Sequence, residues 1–171
     1  LQSKIFRGFV EANKIENSCI ETGNLLFNNN KNTSKKKILF ATTLKSFQNI
    51  KYLGVEMYYE YLENLNLLNV LASKKKFNFL IKPHPSANYC FDNLAKQFKY
   101  LEFTKKKIDR VLKQCFATIS FSSTVIEDSL YSNIPVILFD RWKRYKHCRA
   151  EENIKKLNSA VYYVNSEGDL I

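Results

Sequence analysis

Two short segments carry most of the side chains suited to chemistry: Lys82-Pro83-His84-Pro85-Ser86 and Ser122-Ser123-Thr124. Prolines flank His84, fix their own φ and disfavour helix at the residue before each. The imidazole therefore sits on a stiff, extended backbone and has little entropy left to lose on meeting a ligand. A neutral ring donates one hydrogen bond to a phosphate oxygen, and protonation adds charge. The plainer alternative is a histidine that only shapes a turn. In the second segment three hydroxyls lead into the apolar pair Val125-Ile126, where a helical pattern begins. Hydroxyls, free amides and the positive end of a helix dipole together form an anion site. Thr124-Val125-Ile126-Glu127 also has the form of a capping box, in which Thr124 and Glu127 satisfy the first-turn amides. The two uses are compatible, and Glu127 or Asp128, one turn in, is placed to accept from ribose hydroxyls.

Thr42-Thr43 and Asp140-Arg141-Trp142-Lys143-Arg144-Tyr145-Lys146-His147 follow other apolar runs. The threonines offer hydroxyls or simple turn chemistry. The basic aromatic stretch, with Asp140, Arg141 and Trp142 at its head, suits a nucleotide base or an anionic acceptor through stacking and cation–π contact, or docking on another domain. His147 lacks the rigid setting of His84 and reads as structural or peripheral. The four glycines, Gly8, Gly23, Gly54 and Gly168, build no G-x-G-x-x-G or G-x-x-x-x-G-K loop, which argues against a dinucleotide fingerprint or P-loop. No His/Asp/Glu cluster has metal-ligand spacing, and no serine nucleophile elbow occurs, so no metal is expected.

The elements that must position these residues alternate. Apolar runs of strand type fall at 38–41, 77–81, 100–103, 116–121, 135–139 and 160–164. Between them, Met57, Tyr61, Leu65, Leu68 and Ala72 predict a helix over 54–72. Further helices are expected over 89–98, over 124–132, and through Ile108, Val111, Leu112 and Cys115. Strands apolar throughout suit a sheet covered on both faces, and intervening helices supply right-handed crossovers. The expectation is a doubly wound parallel α/β domain of about six strands over 35–171. Residues 1–34 stand apart: a short helix over 3–13, a turn at Gly23-Asn24 and a polar stretch over 28–34, read as the end of a preceding domain plus a linker. In such a sheet ligands sit at the carboxyl ends of the strands, where both chemical segments fall.

At 171 residues with 45% apolar and 14% aromatic content, the chain has material for one core. No signal pattern or membrane-length apolar run occurs, and the four cysteines show no CxxC pairing, which suggests reduced thiols in the cytoplasm. The net charge of +11 is concentrated in Lys-Lys-Lys runs at 35–37, 74–76 and 105–107. That charge suits a solvated basic surface, or attraction to anionic lipid or a polyanionic glycan. No nucleic-acid motif accompanies it, so no nucleic-acid partner is expected.

Ile81-Lys82-Pro83-His84-Pro85, then Ser120-Phe121-Ser122-Ser123-Thr124-Val125-Ile126-Glu127-Asp128, then Ile134-Pro135-Val136-Ile137-Leu138-Phe139-Asp140 resemble, in order and spacing, the C-terminal nucleotide-binding half of GT-B-fold glycosyltransferases. The nearest branch makes bacterial surface polysaccharides: capsule transferases, polysialyltransferases and glycerophosphotransferases. Glu21-Thr22-Gly23-Asn24 is similar to that family's hinge segment, although Leu25 stands where many members have proline, and Asn133 where they have glycine. The resemblance covers about residues 15–171. It implies a Rossmann-like half of a GT-B fold. The donor would be a CMP-, CDP- or UDP-linked sugar or alcohol, with phosphate contacts from His84, Ser122, Ser123 and Thr124. Read with the loops above, Lys82, Thr42 and Thr43 join that phosphate set, Glu127 takes the ribose, and His84 acts catalytically on the departing phosphate. No separate cofactor is implied. The resemblance also implies an N-terminal domain supplying the acceptor site and the catalytic base, and closing helices after the last strand; the basic charge adds a cytoplasmic position peripheral to the inner membrane as an expectation. Two other readings stay open: a nucleotide-sugar 2-epimerase, whose fourth-strand helix start usually carries glycines where Ser122-Ser123 stand here, and a non-catalytic basic binding module.

Overall fold

A computed structural model of the chain describes residues 36–42, 58–74, 77–85, 88–143, 146–156 and 159–170. The chain divides into two units, Leu1–Lys31 and Asn32–Ile171, and every described residue belongs to the second. The expected helix over 3–13, the hinge segment, the polar stretch over 28–34, Thr43, Met57 and Ser86 lie outside the described residues.

From Lys37 the elements alternate as their periodicity predicts. They are β1 (Lys37–Ala41), α1 (Tyr58–Ser73), β2 (Asn78–Lys82), α2 (Asn88–Gln97), β3 (Glu102–Phe103), α3 (Ile108–Leu112), β4 (Cys115–Ser120), α4 (Val125–Tyr131), β5 (Val136–Phe139), β6 (Val161–Val164) and the single turn α5 (Glu167–Leu170). The six strands are all parallel, in the order β3-β2-β1-β4-β5-β6. This is the Rossmann-like, doubly wound arrangement.

Because side chains alternate along a strand, each strand feeds two cores. Ile38, Phe40, Phe79, Ile81, Ile119 and Phe139 face Tyr61, Leu65, Leu68 and Leu71 of α1, together with Leu94 of α2. Phe40 stacks on Tyr61 with ring centroids 6.3 Å apart. On the opposite face Val136, Leu138, Val161 and Tyr163 pack against Ile126 of α4. Burying each such aliphatic side chain contributes about 1.5–3 kcal/mol.

Two local features depart from the sequence reading. Cys115 begins β4, paired with Lys37, rather than ending a helix. Its thiol still reaches the Val111 carbonyl (3.3 Å), so the helical spacing of apolar residues runs on through the Lys113-Gln114 turn. The β1–β4 register then steps from Lys37↔Cys115 to Ile38↔Ala117, leaving Phe116 as the extra residue of a β-bulge.

The end of α4 shows why asparagine stands at position 133. Ile134 N–H donates to the Ser129 carbonyl (2.9 Å) and Asn133 N–H to that of Leu130 (3.0 Å), the two bonds of a Schellman motif. Asn133 has φ 54°, the left-handed conformation that favours glycine and that asparagine tolerates best among other residues. Asparagine therefore meets at this position a backbone demand that glycine would meet without strain.

Candidate functional site at the carboxyl edge

Strand order reverses between β1 and β4, and the helices that follow them, α1 and α4, pack on opposite faces, the arrangement in which such sheets receive ligands over the carboxyl ends of those strands. Ala41 pairs with both Lys82 and Ser120, and Ser120 with Leu138, which brings the ends of β2, β1, β4 and β5 level. Ser120 Oγ donates to the Ala41 carbonyl (3.0 Å) and Thr42 N–H to that of Lys82 (3.3 Å), stitching this edge together. Thr42, Lys82 to His84, Ser122 to Thr124 and Asp140 to Trp142 thus leave the sheet along one edge, across strands spaced about 4.8 Å apart.

Thr42 is 3% exposed, and its Oγ1 is buried with no hydrogen-bond partner. A buried polar atom left unmatched by protein groups is rare, and this hydroxyl has hydrogen-bonding capacity to offer a ligand. On the other side of β1, Lys82 ends β2 half-buried, and burial pushes its ammonium below the ordinary lysine range. Pro83 is buried, His84 half-buried and Pro85 exposed, and the two prolines restrict the backbone on either side of the histidine.

The helix start after β4 is capped differently from the expected box. Thr124 already has helical angles (φ −59°, ψ −17°), and its side chain makes no capping bond. Ser123 acts instead: its Oγ accepts from Val125 N–H (3.3 Å) and its carbonyl from Ile126 N–H (3.0 Å). A side-chain cap requires a non-helical residue just outside the helix, and that residue is Ser123. Glu127 is exposed and sits close enough to Asp128 and Cys148 to help push both pKa values up, after burial as the larger cause in each case.

A hidden polar contact fixes α4 against the sheet. Ser129 Oγ donates to the Val125 carbonyl (2.7 Å) and lies 2.8 Å from Thr118 Oγ1, which is left as the donor of the pair. Both residues are fully buried. The serine loop therefore hangs from a helix pinned to β4 through its second turn.

The loop after β5 resolves into structural and exposed parts. Asp140 is buried and accepts from the Tyr163 hydroxyl (3.1 Å). Arg141 bridges Glu63 of α1 (3.4 Å) and Glu167 of α5 (2.8 Å), with its guanidinium 5.4 Å from the centroid of the Trp142 ring. These two residues tie the loop to its surroundings, whereas Trp142 remains 37% exposed at the edge. Farther along, Lys146 lies over the Tyr163 ring of β6 at 5.1 Å and pairs with Glu152. His147 Nδ1 arrives 3.1 Å from Ser122 Oγ. Both histidines of the chain consequently stand at the carboxyl edge, a pairing that sequence reading missed because Ser122 and His147 are 25 residues apart. The only signal was the scarcity of histidine itself.

Among the described residues no three His, Cys, Asp or Glu side chains converge as metal ligands, and no helix is long and apolar enough to cross a membrane. Compared with known proteins, the chain matches no family model and no curated sequence.

Proposed function

We propose that the carboxyl edge binds the phosphate-bearing part of a nucleotide-activated sugar or CDP-alcohol, as the donor half of a GT-B-type transferase in surface-polysaccharide synthesis. The observation that carries this reading is the buried, unmatched Thr42 hydroxyl at the switch point between β1 and β4. It is flanked by the braced His84 on one side and the Ser122–His147 pair on the other. An anion seated here accepts from Thr42 and Ser122 and offsets the cost of burying the Lys82 charge. His147, 3.1 Å from Ser122 Oγ, adds a second ring nitrogen donor or acceptor beside the ligand. His84, a donor at the end of β2, stabilises negative charge growing on the departing phosphate, whereas an equally strong contact to the ground state would not speed transfer. Trp142 offers a face for the base. The group that activates the acceptor belongs to a second domain.

β2 and β4 flank β1, so their loops start about 10 Å apart, and a diphosphate bridges that gap better than a monophosphate. Calorimetric titration of the full chain with CMP, CDP, UMP and UDP tests the reading. The expected result is binding by at least one pyrimidine nucleotide, tighter for its diphosphate, and weakened about 10- to 100-fold by His84→Ala or Ser122→Ala, as for a lost hydrogen bond to a charged group. His147→Ala should weaken it less. No binding of any of the four at millimolar concentration, or unchanged affinity in both His84→Ala and Ser122→Ala, overturns the assignment.

A further inference from the structure

We propose that the opposite, amino-terminal edge of the sheet docks on a membrane surface rich in anionic phospholipid. The 3-2-1-4 part of the strand order brings together the entries of four strands that are far apart in the sequence, and each is preceded by an exposed lysine: Lys99 before β3, Lys74 before β2, Lys36 before β1 and Lys113 before β4. At the ordinary strand spacing they form a row about 15 Å long. The row is held in place. The amides of Lys36 and Lys37 both donate to the Gln114 carbonyl (3.2 Å each), locking the entry of β1 to that of β4. Tyr100 N–H donates to Asn69 Oδ1 (3.1 Å), locking the entry of β3 to the end of α1.

Apolar side chains stand exposed among the lysines. Tyr100 is 58% exposed, Val70 49% and Phe116 42%, the last being the bulged residue of β4. Lysines that attract anionic headgroups, beside aromatic and aliphatic groups that enter the interfacial layer, are the two ingredients of peripheral membrane binding. A polynucleotide fits less well, because the row has no arginine for bidentate phosphate contact. β1 alone separates this edge from the carboxyl edge by about 15 Å, beyond the ~8 Å screening length at physiological salt. Docking would therefore leave the carboxyl edge open to solvent, and the proposal stands whether or not that edge binds nucleotides.

Co-sedimentation of the full chain with phosphatidylcholine vesicles, with and without phosphatidylglycerol, tests it. Binding is expected only with phosphatidylglycerol and should weaken as salt rises. Each lysine near an anionic surface is worth about a fivefold factor, so Lys36→Glu/Lys74→Glu/Lys99→Glu should lower partitioning on the order of 100-fold. The charge-matched triple Lys105→Glu/Lys106→Glu/Lys107→Glu, in the loop leaving the carboxyl end of β3, should change it only a few-fold. Lys74→Glu alone, expected to cost about fivefold or more, serves if the triple variant does not fold. Equal loss in the two triples, equal binding to pure phosphatidylcholine, no vesicle binding at low salt, or tighter binding to a single-stranded oligonucleotide than to the anionic vesicles would each overturn the proposal.

Discussion

Ser129→Ala removes the acceptor for a hydroxyl that has nowhere else to turn. Thr118 and Ser129 are both fully buried, and the Thr118 hydroxyl donates to Ser129 Oγ across 2.8 Å. After the substitution Thr118 Oγ1 is a buried donor without a partner, a loss that costs about 1–3 kcal/mol. Thr118→Val is milder: it keeps the shape, and Ser129 Oγ still donates to the Val125 carbonyl at 2.7 Å, so less than about 1 kcal/mol is expected. The double variant replaces both polar groups together and should recover most of the loss, giving a coupling of about 1–2 kcal/mol between the sites. Urea unfolding with an unchanged m-value measures the three differences, and a 2 kcal/mol loss lowers the melting temperature by about 4–8 °C in a chain of this size. Additive effects in the double variant, or Ser129→Ala costing no more than Thr118→Val, would refute the claim that this bond pins α4. The consequence reaches the site, because the Ser122–Thr124 loop hangs from that helix.

Asn133 should accept glycine without loss, whereas Asn133→Ala should cost about 1–2 kcal/mol in urea unfolding, because its φ of 54° clashes with a Cβ that has no compensating polar group. Asp128 titrates in the opposite sense to most carboxylates. Burial, then neighbouring Glu127, raises its folded pKa above the ordinary 3.8, so the folded state holds the proton more tightly than the unfolded chain. Stability tied to this group is therefore greatest below pH 3.8 and falls as pH rises through the raised folded value. Asp128→Asn should stabilise the protein at neutral pH and lose that advantage in acid, as read from melting temperature across a pH series; a constant difference at all pH values would show that charge is not the cause.

The site was legible in part. Lys82, His84 and Ser122 could be placed at one edge from connectivity alone, since each follows an apolar strand and precedes a helical pattern. The sequence could not say that Ser123, not Thr124, caps α4. That choice depends on which residue first takes helical angles, and the two differ by one position. Nor could composition separate Arg141, bound to Glu63 and Glu167, from Trp142 beside it.

The sequence by itself determined the element types, their alternation and the parallel, doubly covered sheet. Those features follow from periodicity within windows of a few residues and from the single hand allowed to a crossover. Only the tertiary structure decided which strands are neighbours, because that depends on how whole faces pack and not on any local pattern. The order β3-β2-β1-β4-β5-β6 put the switch point between β1 and β4, left the Thr42 hydroxyl buried without a partner, and brought His147 to Ser122. The same order separated the lysine runs. Lys36 and Lys74 went to the amino edge and Lys105 to Lys107 to the loop leaving β3 at the other, although along the chain the runs look alike.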